Sequence, residues 1–260
     1  MRLDGKIAIV TGAGSGIGRA TATRLAQEGA NLVLNDLNPR TLEEIARQIV
    51  KEHGVKVAPV PGDVSREETA AKIAETASGE FGRADILVND AGVHHVGDIT
   101  EVTLAEWNRL IATNLTSMFL ITRAIIPMML KQRAGAIVSL ASISSFIGQE
   151  MEGKSTFLYN ITKAGVMQLT TSLATRYGAD GIRVNCVCPG AVKTNLILGS
   201  ILKGQDRVDD SVWQAIGPTH PMNRCAEPAE IAAAIAFLAS DDASFITGAA
   251  LPVDGGYLAR

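Results

Sequence analysis

"TGAGSGIGRA", residues 11–20, is the stretch from which the rest of the chain can be read. It follows a short apolar run at 7–10 and opens a helical stretch near 17–28. Gly12, Gly16 and Gly18 therefore sit where a strand turns into a helix. Glycine at such a place permits a tight turn, close backbone approach to a diphosphate, and close helix–sheet packing. A glycine-rich turn alone is weak evidence, because glycines also serve ordinary turns. Its position between strand and helix is what gives this one weight. The spacing is G-x-x-x-G-x-G rather than G-x-G-x-x-G.

Outward from the turn, short apolar runs alternate with longer amphipathic ones. Strand-like runs fall at 7–10, 31–35, 56–60, 86–89, 136–140, 183–188 and 250–253. They are continuously hydrophobic, as parallel strands covered on both faces are. Helical stretches fall near 17–28, 39–52, 66–81, 104–130, 156–177 and 228–239, with Pro39 and Pro228 suited to first turns and Asn38 and Glu227 just outside them. The alternation predicts an α/β fold: a Rossmann-like doubly wound sheet of about seven parallel strands with helices on both faces. It runs from end to end, so 1–260 is expected to be one domain. A less regular stretch, 195–221, is long enough to serve as a substrate lid.

The second strand ends in "NLVLNDLNP", with Asp36 about 20 residues after the turn. A carboxylate there can accept hydrogen bonds from adenosine ribose hydroxyls and repel a 2′-phosphate. Taken alone, Asp36 would be read as a turn or helix-capping aspartate. Its neighbours Ser15 and Leu37 are uncharged, which favours NAD over NADP; Arg40 is the one nearby cation that argues the other way.

Composition narrows the function class. The 260 residues are 47% hydrophobic and 20% charged, enough to bury a large core, and the net charge of −3 gives no reason to expect nucleic acid or an anionic membrane as partner. The apolar region 111–130 is interrupted by Asn114, Thr116, Arg123 and Pro127 and reads as a buried helix. Three cysteines cannot all pair, and Cys186 and Cys188 alternate along a strand-like run, so they are read as reduced thiols of a cytoplasmic protein. The "MRLDGK" start runs straight into a strand, without the pattern of a signal peptide. His94-His95 has no third ligand nearby in sequence, so no metal is expected.

"YNITKAG", residues 159–165, puts Tyr159 and Lys163 four residues apart on one helical face. A lone YxxxK is usually a lysine lying over a half-buried tyrosine. Together with "TGAGSGIG", however, the chain resembles the classical short-chain dehydrogenase/reductase family over essentially its whole length, from "LDGKIAIVTG" to "LPVDGGY". "GDV" at 62–64 is similar to the family's adenine-contacting turn. "NDAG" at 89–92 is similar to its N-N-A-G segment, with Asp90 in place of the second asparagine. "CPGAVKT" at 188–194 is similar to the segment that lines the nicotinamide.

The resemblance implies a hydride-transferring oxidoreductase acting on a small-molecule secondary alcohol or ketone. Asn114, Ser142, Tyr159 and Lys163 would be its catalytic residues. Tyr159, with an ordinary pKa of ~10, would exchange the proton once Lys163 and an oxidised nicotinamide had lowered that value. Ser142 would hold the reacting oxygen, and Asn114 a water leading to Lys163. The implied cofactor contacts are Gly12, Ser15, Gly16, Ile17, Gly18, Asp36, Leu37, Asp63, Val64, Asn89, Asp90, Ala91, Gly92, Tyr159, Lys163, Pro189, Gly190, Val192 and Thr194. Ser144 and Ser145 rival Ser142, which is favoured by its place just after the fifth strand. Seventeen positions separate Ser142 from Tyr159, more than is usual in the family, and the extra "GQEMEGKST" is expected to loop over the substrate mouth. The resemblance also implies a homo-oligomer, most often a tetramer. Two alternatives stand beside this reading: an NADPH-dependent reductase of 3-oxoacyl thioesters, and a non-catalytic nucleotide sensor that would have no use for Tyr159 and Lys163.

Overall fold

The computed structural model describes residues 1–151, 153–197 and 209–260. Seven apolar runs pair into one parallel sheet: β1 (Ile7–Thr11), β2 (Asn31–Asp36), β3 (Val57–Pro61), β4 (Ile86–Asn89), β5 (Gly135–Leu140), β8 (Ile182–Pro189) and β9 (Ala250–Val253), in the order β3-β2-β1-β4-β5-β8-β9. The pleat sends alternate residues to opposite faces. Ala8, Val10, Leu32, Leu34 and Val88 enter one core, while Ile9, Val33 and Leu87 enter the other. Two buried faces explain why the runs lack a polar–apolar alternation.

The first core is closed by α1 (Gly16–Gln27), α2 (Pro39–His53) and α8 (Pro228–Ala239), through residues such as Leu25, Ile45 and Ile235. The second is closed by α3 (Glu67–Thr76), α5 (Ser117–Gln132) and α6 (Phe157–Tyr177), through Ile73, Ile125 and Ala174. The proline-led helices start as their sequences require. Asn38 Oδ1 accepts from the Arg40 N–H at 3.0 Å, and Glu227 and Glu230 form a reciprocal capping box at the head of α8.

The stretch expected as one helix over 104–130 is interrupted. It consists of α4 (Leu104–Ile111), a wide π-turn at Ala112–Thr116, and α5. Asn114 lies in that turn, fully buried, and bonds sideways to Val93, which accounts for the irregular ladder. The span Leu104–Gln132 is long and apolar enough to cross a membrane by length and composition. Here Ile121, Ile125 and Met129 fill the second core. Similarly, α3 stops at Thr76 and continues as a π-turn at Ala77–Phe81. A two-stranded antiparallel hairpin, β6 (Glu150–Met151) and β7 (Lys154–Ser155), occupies the stretch expected to be a loop. Cys186, Cys188 and Cys225 are buried free thiols.

Strand order reverses between β1 and β4, so the connections leaving their carboxyl ends part to opposite faces and leave a crevice. Every segment singled out in the sequence follows the carboxyl end of a strand or faces that end.

Candidate active site

β1 ends at Thr11, and the chain turns with Gly12 at φ 68° and Gly16 at φ 53°, both in the left-handed region that favours glycine. Gly16 opens α1, where Ser15 is the N-cap but makes no side-chain capping bond, and no acid lies in the first turn. That turn therefore presents backbone N–H groups and the positive end of the helix dipole to an anion. Gly14, which the sequence reading passed over, is as constrained as its neighbours: a Cβ there would lie 2.6 Å from Thr41 Oγ1 and 2.8 Å from Asp36 Cγ. Its N–H donates to Asp36 Oδ2 at 2.9 Å, and Asp36 Oδ1 accepts from the Asn38 N–H at 2.9 Å. Asp36 is thus locked at the end of β2 beside the turn, with Leu37 and Arg40 exposed next to it. Asp63 follows β3, where its Oδ1 accepts from the Ser65 N–H at 2.9 Å, and Val64 is buried.

Beyond β4 the chain is pinned from two sides. Thr11 Oγ1 accepts from the N–H groups of Asp90 at 3.1 Å and Ala91 at 3.2 Å. Asn114 Oδ1 accepts from the Val93 N–H at 2.8 Å, while its Nδ2 donates to the Val93 carbonyl at 2.8 Å and to Thr162 Oγ1 at 3.2 Å. The Asn114 amide thus spends most of its capacity holding this loop, a use the sequence did not show. Asn89 points into the sheet interior, and its Nδ2 donates to Thr122 Oγ1 at 3.3 Å and Ser139 Oγ at 3.4 Å. Gly92 faces the reaction centre, with Lys163 Nζ 3.6 Å from where its Cβ would be.

Ser142, Tyr159 and Lys163 converge on this loop, all buried. Ser142 caps the single turn Ile143–Ser145, its Oγ accepting from the Ser144 N–H at 3.1 Å. Ser142 also acts on the Tyr159 phenol, lowering its pKa, while its Oγ donates to Ser144 Oγ at 3.1 Å and Ser144 bonds Gln149. That action favours Ser142 over its rivals. Lys163 Nζ lies 5.6 Å from the Tyr159 ring centroid and donates to the Leu140 carbonyl at 2.6 Å. Burial pushes the Lys163 ammonium down to about 8, partly offset by Asp90. Burial pushes the Tyr159 phenol up to about 12, against the pull of Ser142 and with help from the negative charge of Asp90. The protein's own residues therefore hold the proton on Tyr159, and the lowered value expected with an oxidised nicotinamide bound needs that added charge. Desolvation outweighs a lysine that sits above the ring. His94 packs its ring 4.7 Å from that of Tyr159, and burial lowers it to about 4.

On the far side, Pro189 ends β8 and Gly190 donates to the Val253 carbonyl at 3.2 Å. The Ala191 N–H donates to Nε2 of buried His220 at 3.1 Å, a support no sequence pattern signalled. Val192 bridges to Ala226, and Thr194 lies across from the glycine-rich turn, its Cγ2 3.4 Å from where a Gly16 Cβ would be. The hairpin is tied to the loop before α4: Lys154 Nζ donates to Glu101 Oε2 at 2.8 Å, and the Gly97 N–H to the Ser155 carbonyl at 2.9 Å. Of the expected lid, a short turn at Asn195–Ile197 and α7 (Asp210–Ile216), carrying Val212, Trp213 and Ile216, are seen. Leu198, Ile201 and Leu202 lie outside the described residues.

An open helix N-terminus, a fixed carboxylate after β2, and a tyrosine–serine–lysine cluster at the strand switch fit a dinucleotide-dependent oxidoreductase. The comparisons with known proteins agree. The family model described as enoyl-(acyl carrier protein) reductase matches residues 12–258. The meso-2,3-butanediol dehydrogenase of Serratia marcescens is 38% identical, covering 98% of this chain and 96% of its own. The D-threitol dehydrogenase of Mycolicibacterium smegmatis is 39% identical, covering 98% and 94%. The crystal structure of levodione reductase superposes with a TM-score of 0.92 at 33% identity, covering 100% of both chains. This chain belongs to the short-chain dehydrogenase/reductase family. It is an oxidoreductase of alcohols or ketones that uses a nicotinamide cofactor.

Proposed function

We infer that this protein is an NAD-preferring dehydrogenase of small secondary alcohols, working as one domain with a lid at 195–221. The observation that carries the cofactor choice is Asp36, whose carboxylate is fixed by the Gly14 and Asn38 N–H groups at 2.9 Å each. A carboxylate so held can receive ribose hydroxyls but cannot swing away from a 2′-phosphate. Gly12, Gly16 and the first turn of α1 would hold the diphosphate; Asp63 and Val64 the adenine; Gly92, Lys163 and 189–194 the nicotinamide riboside.

When bound, an oxidised nicotinamide dinucleotide supplies the hydride acceptor and a positive charge. Once that charge and Lys163 have let it shed its own proton, Tyr159 takes the alcohol proton at its phenolate oxygen, or, protonated, gives one to a carbonyl in the reverse direction. Ser142 Oγ holds the reacting oxygen. Lys163 keeps a cation beside the phenol, favouring the phenolate. Asn114, through Val93 and Thr162, fixes the loop and helix that carry these groups and retains one Oδ1 lone pair for a water.

The named activities of the two dehydrogenase relatives make vicinal diols and short polyols the first substrates to try. The second reading, reduction of acyl thioesters with NADPH, draws on the description of the family model, and Asp36 opposes it. A cofactor-reduction assay over diols, polyols and cyclic alcohols, with 3-oxoacyl thioesters in the reverse direction and each cofactor tried separately, tests both. Turnover confined to NADPH and thioesters would reverse the assignment. The exposed Phe119 and Ile161, on α5 and α6, and the fully exposed Phe245 support a homo-oligomer, and we propose a tetramer. Light scattering that shows a monomer at micromolar concentration would refute it. Three buried free thiols support a reducing, cytoplasmic setting.

A further inference from the structure

Asp90 stands where the family pattern has asparagine, and a carboxylate there meets an unusual setting. Thr11 Oγ1 holds its backbone N–H at 3.1 Å, and the side chain turns under the glycine-rich turn. Its Oδ2 would lie 2.7 Å from a Cβ on Gly18 and 3.3 Å from one on Gly12. The carboxylate thus lies beside the Gly18 N–H, in the first turn of α1, whose field favours its charged form. An N-cap side chain ordinarily serves such a donor, and Ser15 does not. Asp90 therefore places a carboxylate at the head of α1 from the loop after β4. The helix end that attracts a diphosphate already holds one anion.

The charged and titratable groups around it are few. Lys163 and Tyr159 face it from α6, and Asp36 from the end of β2. His94, on its own loop, is held neutral by burial. Arg19 of α1 is turned outward to Gln48. Burial pushes the Asp90 carboxyl up to about 7; Lys163 and the Gly18 N–H pull it back, and Asp36 pushes it further. A second anion at the same helix end opposes ionisation again, because like charges in an enclosed site cannot both be stabilised.

We propose that Asp90 takes up a proton from solvent when a dinucleotide diphosphate occupies the first turn of α1, so that cofactor binding and neutralisation of Asp90 are one coupled event. This rests on the nucleotide-binding reading above. The carboxylate gains one proton from the buffer and no other bond changes. Neutral Asp90 no longer raises the pKa of Tyr159, so cofactor binding also brings the phenol closer to deprotonation. By linkage, the cofactor binds fully below the resting pKa of Asp90, and its affinity falls by up to about tenfold per pH unit above it.

The test compares wild type with Asp90→Asn, which keeps the shape and restores the family's asparagine. NADH binding is followed by fluorescence from about pH 6 to pH 9, where Asp90 should titrate. Infrared difference spectra are recorded on NADH addition, with and without ¹³C-labelled aspartate. In the wild type a carboxylic-acid C=O band should appear and shift with the label, and it should be missing in Asp90→Asn. The wild-type Kd should climb with pH more steeply than that of the variant. Saturable binding with every aspartate still ionised, or identical pH slopes, would overturn the proposal alone. If neither protein bound NADH or NADPH saturably, the nucleotide reading would fall with it.

Discussion

Replacing Asn114 by alanine tests whether its amide builds the site or only relays protons. The side chain is fully buried and makes three bonds, to the Val93 N–H, the Val93 carbonyl and Thr162 Oγ1, at 2.8, 2.8 and 3.2 Å. Alanine strands both Val93 groups. A stranded buried polar group costs roughly 1–3 kcal/mol, and Val93 is half-buried, so water can recover part of that. Thr162 keeps its own bond to the Tyr159 carbonyl at 2.7 Å and adds little. The expected loss is about 2–4 kcal/mol, a sizeable share of the roughly 5–15 kcal/mol that holds a domain folded. At roughly 2–4 °C per kcal/mol for chains approaching this size, the melting temperature should drop by about 4–16 °C. Differential scanning fluorimetry measures it, and hydrogen exchange should show the loop at 90–98 opening first. A variant that melts within about 1 °C of wild type while losing turnover would refute the reasoning, since a group that only positions a water carries little stability.

Tyr159→Phe should cut turnover by about 10²–10⁴-fold while NADH binding, read by fluorescence, stays near normal. Lys163→Ala should weaken cofactor binding and move the basic limb of alcohol oxidation to higher pH, because losing a nearby cation makes the phenolate less stable. Asp36→Ala should narrow the preference for NAD over NADP in kcat/KM, and comparable use of both by the unmodified enzyme would shift suspicion to Arg40. Asp90, raised to about 7 in the folded chain, titrates near ~3.9 when unfolded, so the folded chain binds the extra proton between those values. Its contribution to stability therefore falls as pH rises through that window. Asp90→Asn should melt higher than wild type at about pH 8, with the gain vanishing toward about pH 4.

The sheet was legible because seven runs such as "IAIV" and "ILVN" are mostly apolar with no polar–apolar alternation, as burial on both faces favours. Asp36, Ser142, Tyr159 and Lys163 were legible because each stands at a fixed place relative to a strand end or a helical turn. The π-turn at Ala112–Thr116 was not: its cause is a bond from Asn114 to Val93, and no local pattern records that. Nor was the state of Tyr159. Four-residue spacing places Lys163 beside it, but only the packed structure shows that desolvation outweighs that charge and that Asp90 opposes it. Asp90 and Gly18 lie far apart in sequence, so their close approach could not be read from either segment. His220 and the hairpin were hidden for similar reasons, one a distant support and the other two strands of two residues each.

The hairpin has a consequence for how this protein could change. Ser142 is set by the end of β5 and Tyr159 by the first turn of α6, and the hairpin strands lie between the two without being part of either. The residues before the hairpin are tied to both sides, Gln149 to Ser144 and Thr156 and Ile147 to Asn160, but the hairpin itself fastens elsewhere, through Lys154 to Glu101 and Ser155 to Gly97. The insert is an interchangeable part fitted to a fixed chassis. Mutation can lengthen, shorten or replace it without detuning the proton-transfer pair. Grafting the corresponding segment of a relative should therefore transplant substrate preference while leaving the reaction itself in place.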